Sequence, residues 1–197
     1  MDNDAVRRGR PSCHVRFGEG PALLAGDGLL SLAFEVIAKA PLGPGGAEGK
    51  VLALRTIAEA AGVGGMVRGQ WLDITAIPGK ADEALYLDLA GKKTGALIRG
   101  AVVAGAVLAG APERGLEAAS EYGALVGLAF QVRDDIADAG GPGGDTGVNA
   151  VALLGLDGAR RRLAELLARA REALDRGTID SAELRFLAAS LGPEGGR

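Results

Sequence analysis

The sequence predicts an all-α protein, and three observations carry that reading. Of the 197 residues, 48% are hydrophobic but only 4% aromatic, so the apolar material is small and aliphatic, suited to close helix packing more than to aromatic-rich sheets. Apolar residues recur at spacings of three and four along most of the chain, and no run alternates in the manner of a strand. Glycine and proline cluster in short stretches such as PLGPGG and AGGPGGDTG, which punctuate the periodic segments as turns.

HVRFGEGPALLAGDGLLSLAFEVIAKA, residues 14–40, reads as the first helix, with Leu23, Leu24, Leu30, Phe34 and Ile37 at mixed spacings and PLGPGG as its stop. GKVLALRTIAEAAG is a second helix ended by Gly62, and GMVRGQWLDITAI a third ended by Pro78 and Gly79. Residues 81–112 hold two more, with a break expected near Gly91–Thr94. LEAASEYGALVGLAFQVRDDIADA is a long apolar helix with a charged end. DGARRRLAELLARAREALDRG and SAELRFLAASL close the chain as amphipathic helices. The expectation is seven or eight helices, no sheet, and a single domain over 1–197, a length that supports one substantial core.

Composition excludes several classes. The net charge of -3 and pI near 5.3, with Lys and Arg dispersed, point away from nucleic acid. One cysteine, Cys13, allows neither an internal disulfide nor a CxxC metal site, so a reducing cytoplasm is the default location. The longest uncharged apolar run, Gly100 to Pro112, is shorter than the about 20 residues a bilayer requires, so no transmembrane segment is expected. The 33 glycines are about twice the usual share of roughly 7%. Those at 95, 100, 105 and 110 fall inside an apolar stretch, where they would let helices approach closely.

Four motifs carry chemistry. In QVRDDIAD, Asp134 and Asp138 are four apart and project from one helix face, with Asp135 about 100° round. Like charges at that spacing call for a cation; hard oxygen ligands suit Mg²⁺, and a solvated acidic helix end is the alternative. KKTG offers Lys93 and Thr94 as a point charge and a donor for phosphate oxygens, or else a plain solvated lysine pair. It is not a Walker A loop, because Tyr86 stands where the first glycine is required. Gln70 and Asp73, three apart, line a polar pocket or form an exposed edge. RRGRP sets Arg7 and Arg8 side by side, an arrangement suited to a multiply charged phosphate or to an ordinary basic surface. His14 and Cys13 are adjacent, and neither is assigned a catalytic role.

The order of RRGRPSCH, LAGD, GMVRGQWLD, KKTGALIR, LAFQVRDDIAD and ALLGL resembles the trans-isoprenyl diphosphate synthases, the polyprenyl synthetase family that makes geranyl, farnesyl and geranylgeranyl diphosphates. The resemblance implies an isoprenoid-synthase-type helical bundle around an apolar cavity. It also implies a prenyltransferase that ionises an allylic diphosphate, adds isopentenyl diphosphate to it and loses a proton. Position by position it implies Mg²⁺ ligands at Asp134, Asp135 and Asp138, with Asp2 as the last aspartate of a first acidic motif. Lys93 and Thr94 would contact the allylic diphosphate, Lys93 and Asp134 would act directly in catalysis, and Gln131 would lie near that substrate. Arg7 would face the allylic diphosphate and Arg8 isopentenyl diphosphate, while Gln70 and Asp73 would line the pocket.

The matching positions are the C-terminal two-thirds of that fold, so the expectation is a bundle lacking its N-terminal helices and impaired in synthesis. The loop after the second acidic motif, GGPGGDTGVNAVALLGL, contains none of the lysines usual there. A homodimer, or pairing with a complete synthase, is the expected assembly. The alternative function is a non-catalytic binding or regulatory subunit.

Overall fold

The structure is a computed structural model that describes residues 3–76, 82–139 and 148–192. Asp2, the Pro78–Gly79 stop and the lysine-free part of the loop at 140–147 lie outside the described residues. The chain divides into two compact units, Met1–Pro41 and Leu42–Arg197.

The first unit begins with a minimal hairpin that pattern reading does not foresee. Strands β1 (Val6–Arg7) and β2 (Arg10–Pro11) pair antiparallel, and Arg8 (φ 52°) and Gly9 (φ 72°) form the turn between them. Positive φ at both central residues is the requirement of a two-residue hairpin turn, which glycine meets at no steric cost. Strands of two residues are too short for an alternating pattern to register, which is why the expectation of no sheet fails here. Helices α1 (Cys13–Phe17) and α2 (Glu19–Lys39) follow, split at Gly18, whose φ of 89° interrupts the single helix expected.

No residue of α2 is buried, and Leu23, Leu24, Leu29 and Val36 are exposed. By length and composition α2 could cross a membrane, a property the search for uncharged runs missed because Asp27 and Glu35 interrupt it. Asp27, near its middle, would cost about 2.5–3.5 kcal/mol in hydrocarbon, which favours a covering of protein.

The second unit is built on α7 (Glu113–Asp138), which packs along α8 (Ala150–Arg176) and α6 (Ala96–Leu108). Its inward residues Tyr122, Val126, Ala129 and Val132 meet Leu163, Leu166, Ala170 and Leu174 of α8, all buried in one cluster. Both sets run at spacings of three and four, the stripe of an amphipathic helix, and each fully buried leucine contributes about 1.5–3 kcal/mol. Helix α3 (Gly46–Ala61) lies against α6, where Gly100 leaves room for the Ala60 methyl: a Cβ at 100 would stand 2.8 Å from it. Helices α4 (Met66–Thr75), α5 (Glu83–Ala90) and α9 (Ala182–Ser190) complete the described elements.

Two boundaries differ from expectation. The break near Gly91–Thr94 is not a break: α5 runs into α6 through a single π-helical turn, Gly91–Gly95, which keeps helical backbone while inserting one residue. Helix α8 starts at Ala150 instead of 157, capped by the Asn149 side chain on the Ala152 N–H (2.7 Å), with a kink at Gly155 (φ 69°). The segment ALLGL is therefore helical up to that kink.

Candidate active site

Two glycine contacts position the polar residues of the second unit. A Cβ at Gly69 would lie 2.0 Å from the Lys93 backbone nitrogen, so α4 and the π turn touch backbone to backbone. One helical turn beyond Gly69, on the same face, Asp73 then reaches Lys93: Oδ2 to Nζ is 2.6 Å, with both side chains about a quarter exposed. Gln70 Nε2 donates to the same carboxylate at 3.4 Å. Lys92 turns the other way, to an ion pair with Asp88. The two lysines of KKTG are thus divided between separate partners.

On the other side of the turn, a Cβ at Gly127 would lie 2.5 Å from Gly95 Cα. This crossing sets Gln131, one turn along α7, beside Thr94, whose hydroxyl donates to Gln131 Oε1 at 2.8 Å. One turn further again, Gln131 Nε2 donates to Asp135 Oδ1 at 2.9 Å. Asp135 Oδ2 accepts the Tyr86 hydroxyl and the Ala150 N–H, each at 2.8 Å. Burial and the neighbouring Asp135 charge raise the Tyr86 pKa well above its ordinary value, so its hydroxyl stays protonated and donating.

Sequence grouped Asp135 with Asp134 and Asp138 as a metal ligand. The structure sets it apart: Asp135 is 5% exposed and its two oxygens accept from three donors, whereas Asp134 and Asp138 are exposed one turn apart at the end of α7. Among the described residues no group of three acidic, histidine or cysteine side chains could hold a metal ion alone. Arg7 and Arg8 lie in the first unit, exposed on its hairpin, with Arg7 Nη1 3.6 Å from Asp4 Oδ2. Cys13 and His14 are not buried and stay unassigned. Gln70, Asp73 and Lys93 on the α4 side of the π turn, and Thr94, Gln131 and Asp135 on its α7 side, are two hydrogen-bonded groups joined through the Lys93–Thr94 backbone, a polar seam of two halves.

Pattern reading missed Tyr86 and the buried cap Asn149. A lone aromatic residue in α5 was the available signal for the first. An Asn immediately before an apolar run was the signal for the second.

The fold is that of the all-α isoprenyl synthases. A solved FPP/GFPP synthase from Zymomonas mobilis superposes with a TM-score of 0.84 at 33% identity, over 97% of this chain and 68% of that one. A Helicobacter pylori geranyltransferase, solved with magnesium and isoprenyl diphosphate, gives 0.82 at 28% identity, over 97% and 65%. The farnesyl diphosphate synthase of Escherichia coli is 38% identical over 95% of this chain and 68% of its own length. Residues 1–152 match the polyprenyl synthetase family, and the chain belongs to it. It spans about two thirds of the length of these relatives.

Proposed function

We propose that the chain is a prenyltransferase that joins an allylic diphosphate to isopentenyl diphosphate, giving a longer trans-polyprenyl diphosphate, and that the polar seam of the second unit holds the allylic diphosphate. The observation that carries the reading is the pairing of Lys93 and Thr94 on one π turn, each braced by a residue of a different helix. An ammonium fixed through one of its N–H groups has others to offer a phosphate oxygen.

Mg²⁺ is the metal we propose. It takes one or two carboxylates and leaves its other positions to water and phosphate, which fits Asp134 and Asp138, exposed and one turn apart. When bound, the metal neutralises charge on the departing pyrophosphate. The chain's own residues do the rest. Lys93 supplies positive charge where the C1–O bond breaks, Gln131, with its oxygen held by the Thr94 hydroxyl, turns an amide N–H to orient the diphosphate, and Gln70 and Asp73 line the pocket and hold the Lys93 ammonium in place. Arg7 is proposed for the allylic diphosphate and Arg8 for isopentenyl diphosphate, with each planar fork able to take two oxygens.

The two units are proposed to be parts of a single synthetase domain, supported by a family match that runs across both. A cytoplasmic homodimer is the proposed state, supported by the lone cysteine and by the exposed leucines of α2. The test is incubation with Mg²⁺, labelled isopentenyl diphosphate and geranyl diphosphate, alongside titration with geranyl diphosphate alone. Mg²⁺-dependent binding with label in a longer prenyl diphosphate supports the reading. Absence of both binding and transfer contradicts it.

A further inference from the structure

We infer that Asp135 and Tyr86 are a positioning pair, with Asp135 serving to orient Gln131 and the start of α8 instead of ligating metal. The inference rests on the diphosphate reading of the seam. An ionised carboxylate accepts only, so the Gln131 group facing Oδ1 must be its NH₂, which leaves Oε1 turned to Thr94. On the other oxygen, the Tyr86 hydroxyl from α5 and the Ala150 N–H of α8 converge. Three donors from three helices therefore meet on one buried carboxylate.

A carboxylate in that setting has little capacity left for a cation, and pulling it toward one would strand buried donors. Its consequence for the ligand is indirect. Asp135 takes one N–H of the Gln131 amide and the Thr94 hydroxyl donates to the amide oxygen, so the second Gln131 N–H is the donor whose direction is set before a diphosphate arrives.

The test uses inorganic pyrophosphate and Mg²⁺ with Tyr86→Phe, Asp135→Asn and Gln131→Ala in the full chain. We expect Tyr86→Phe to weaken pyrophosphate binding about threefold and Asp135→Asn about tenfold, with the half-saturating Mg²⁺ concentration unchanged in both. In the Gln131→Ala background, Tyr86→Phe should have no further effect on binding, a result that general loosening of the fold would not give. Wild-type affinity in Tyr86→Phe overturns the inference, as does an equal loss with and without Gln131. A tenfold rise in the Mg²⁺ requirement of Asp135→Asn also overturns it, since that is the mark of a direct ligand. If Asp135→Asn does not fold, Tyr86→Phe, which deletes one hydroxyl, carries the test alone. Failure of the unaltered chain to bind pyrophosphate sinks the diphosphate reading itself and is distinguishable because it needs no variant.

Discussion

Lys93 and Asp73 face each other at 2.6 Å across the line where α4 meets the π turn, and the contact exists because residue 69 has no side chain. An ion pair that is part-buried but still reached by water contributes modestly to stability, on the order of 1 kcal/mol. Its value is in where it keeps the ammonium. Lys93→Ala should therefore leave the melting temperature within a few degrees of wild type while weakening Mg²⁺-dependent pyrophosphate binding by about tenfold to a hundredfold, the loss of a charge-assisted hydrogen bond of roughly 1.5–3 kcal/mol. Calorimetric titration of the variant beside a thermal melt checks both halves.

Gly69→Ala puts a methyl where the Lys93 backbone already is, so one helix must move. Overpacking of this kind costs about 1–3 kcal/mol, and displacement of α4 also carries Asp73 away from Lys93. The expected result is a lower urea midpoint together with weakened pyrophosphate binding. Gly105→Ala is the control: open space surrounds that glycine, so the same substitution there should be neutral or slightly stabilising.

Asp134→Asn and Asp138→Asn should each raise the Mg²⁺ concentration needed for half-maximal pyrophosphate binding, by about tenfold, with little change in folding because both residues are exposed. Binding measured over a Mg²⁺ series, with circular dichroism for the fold, decides the matter. An unchanged Mg²⁺ requirement in both variants removes the metal role from α7.

The buried tyrosines make stability fall at alkaline pH. The folded-state pKa of Tyr86 is raised by burial and by the Asp135 charge, and that of Tyr122 is pushed up to about 12 by burial. In the unfolded chain both titrate near about 10. A raised folded pKa means the contribution is complete below pH about 10 and is lost as pH climbs past the unfolded value, because only the unfolded chain releases the protons. The urea midpoint should drop steadily as pH rises from about 10 to about 11.5, and Tyr86→Phe, weaker at neutral pH, should show a shallower drop.

Much of this architecture was legible in sequence, and particular residues show where legibility ended. The α7–α8 seam could be read because Tyr122, Val126, Val132, Leu163 and Leu174 follow helical spacing over long elements, where periodicity is strongest. The hairpin at Val6–Pro11 is shorter than any period, and Gly18 splits a helix that its flanking pattern runs straight through. KKTG looked like a break because glycine and threonine disfavour helix. Backbone contacts with Gly69 and Gly127 hold it helical with one residue to spare, and no local preference encodes such contacts.

The site divides along the same line. Lys93, Thr94, Gln70 and Asp73 were found by residue type and Gln131 through the family resemblance, and the fold places them on the two sides of one π turn. The separation of Asp135 from Asp134 was not legible, since neighbours on a helix point about 100° apart and only the packed structure says which one faces inward.

The face formed by the π turn and α7 is proposed to hold a diphosphate with the help of a divalent metal. Titration of the chain with geranyl diphosphate, in Mg²⁺ and again in excess chelator, tests it most directly. Binding at least tenfold tighter with Mg²⁺, and weakened by about tenfold to a hundredfold in Lys93→Ala, is the predicted result. Equal binding in the two conditions, or none in either, would contradict it.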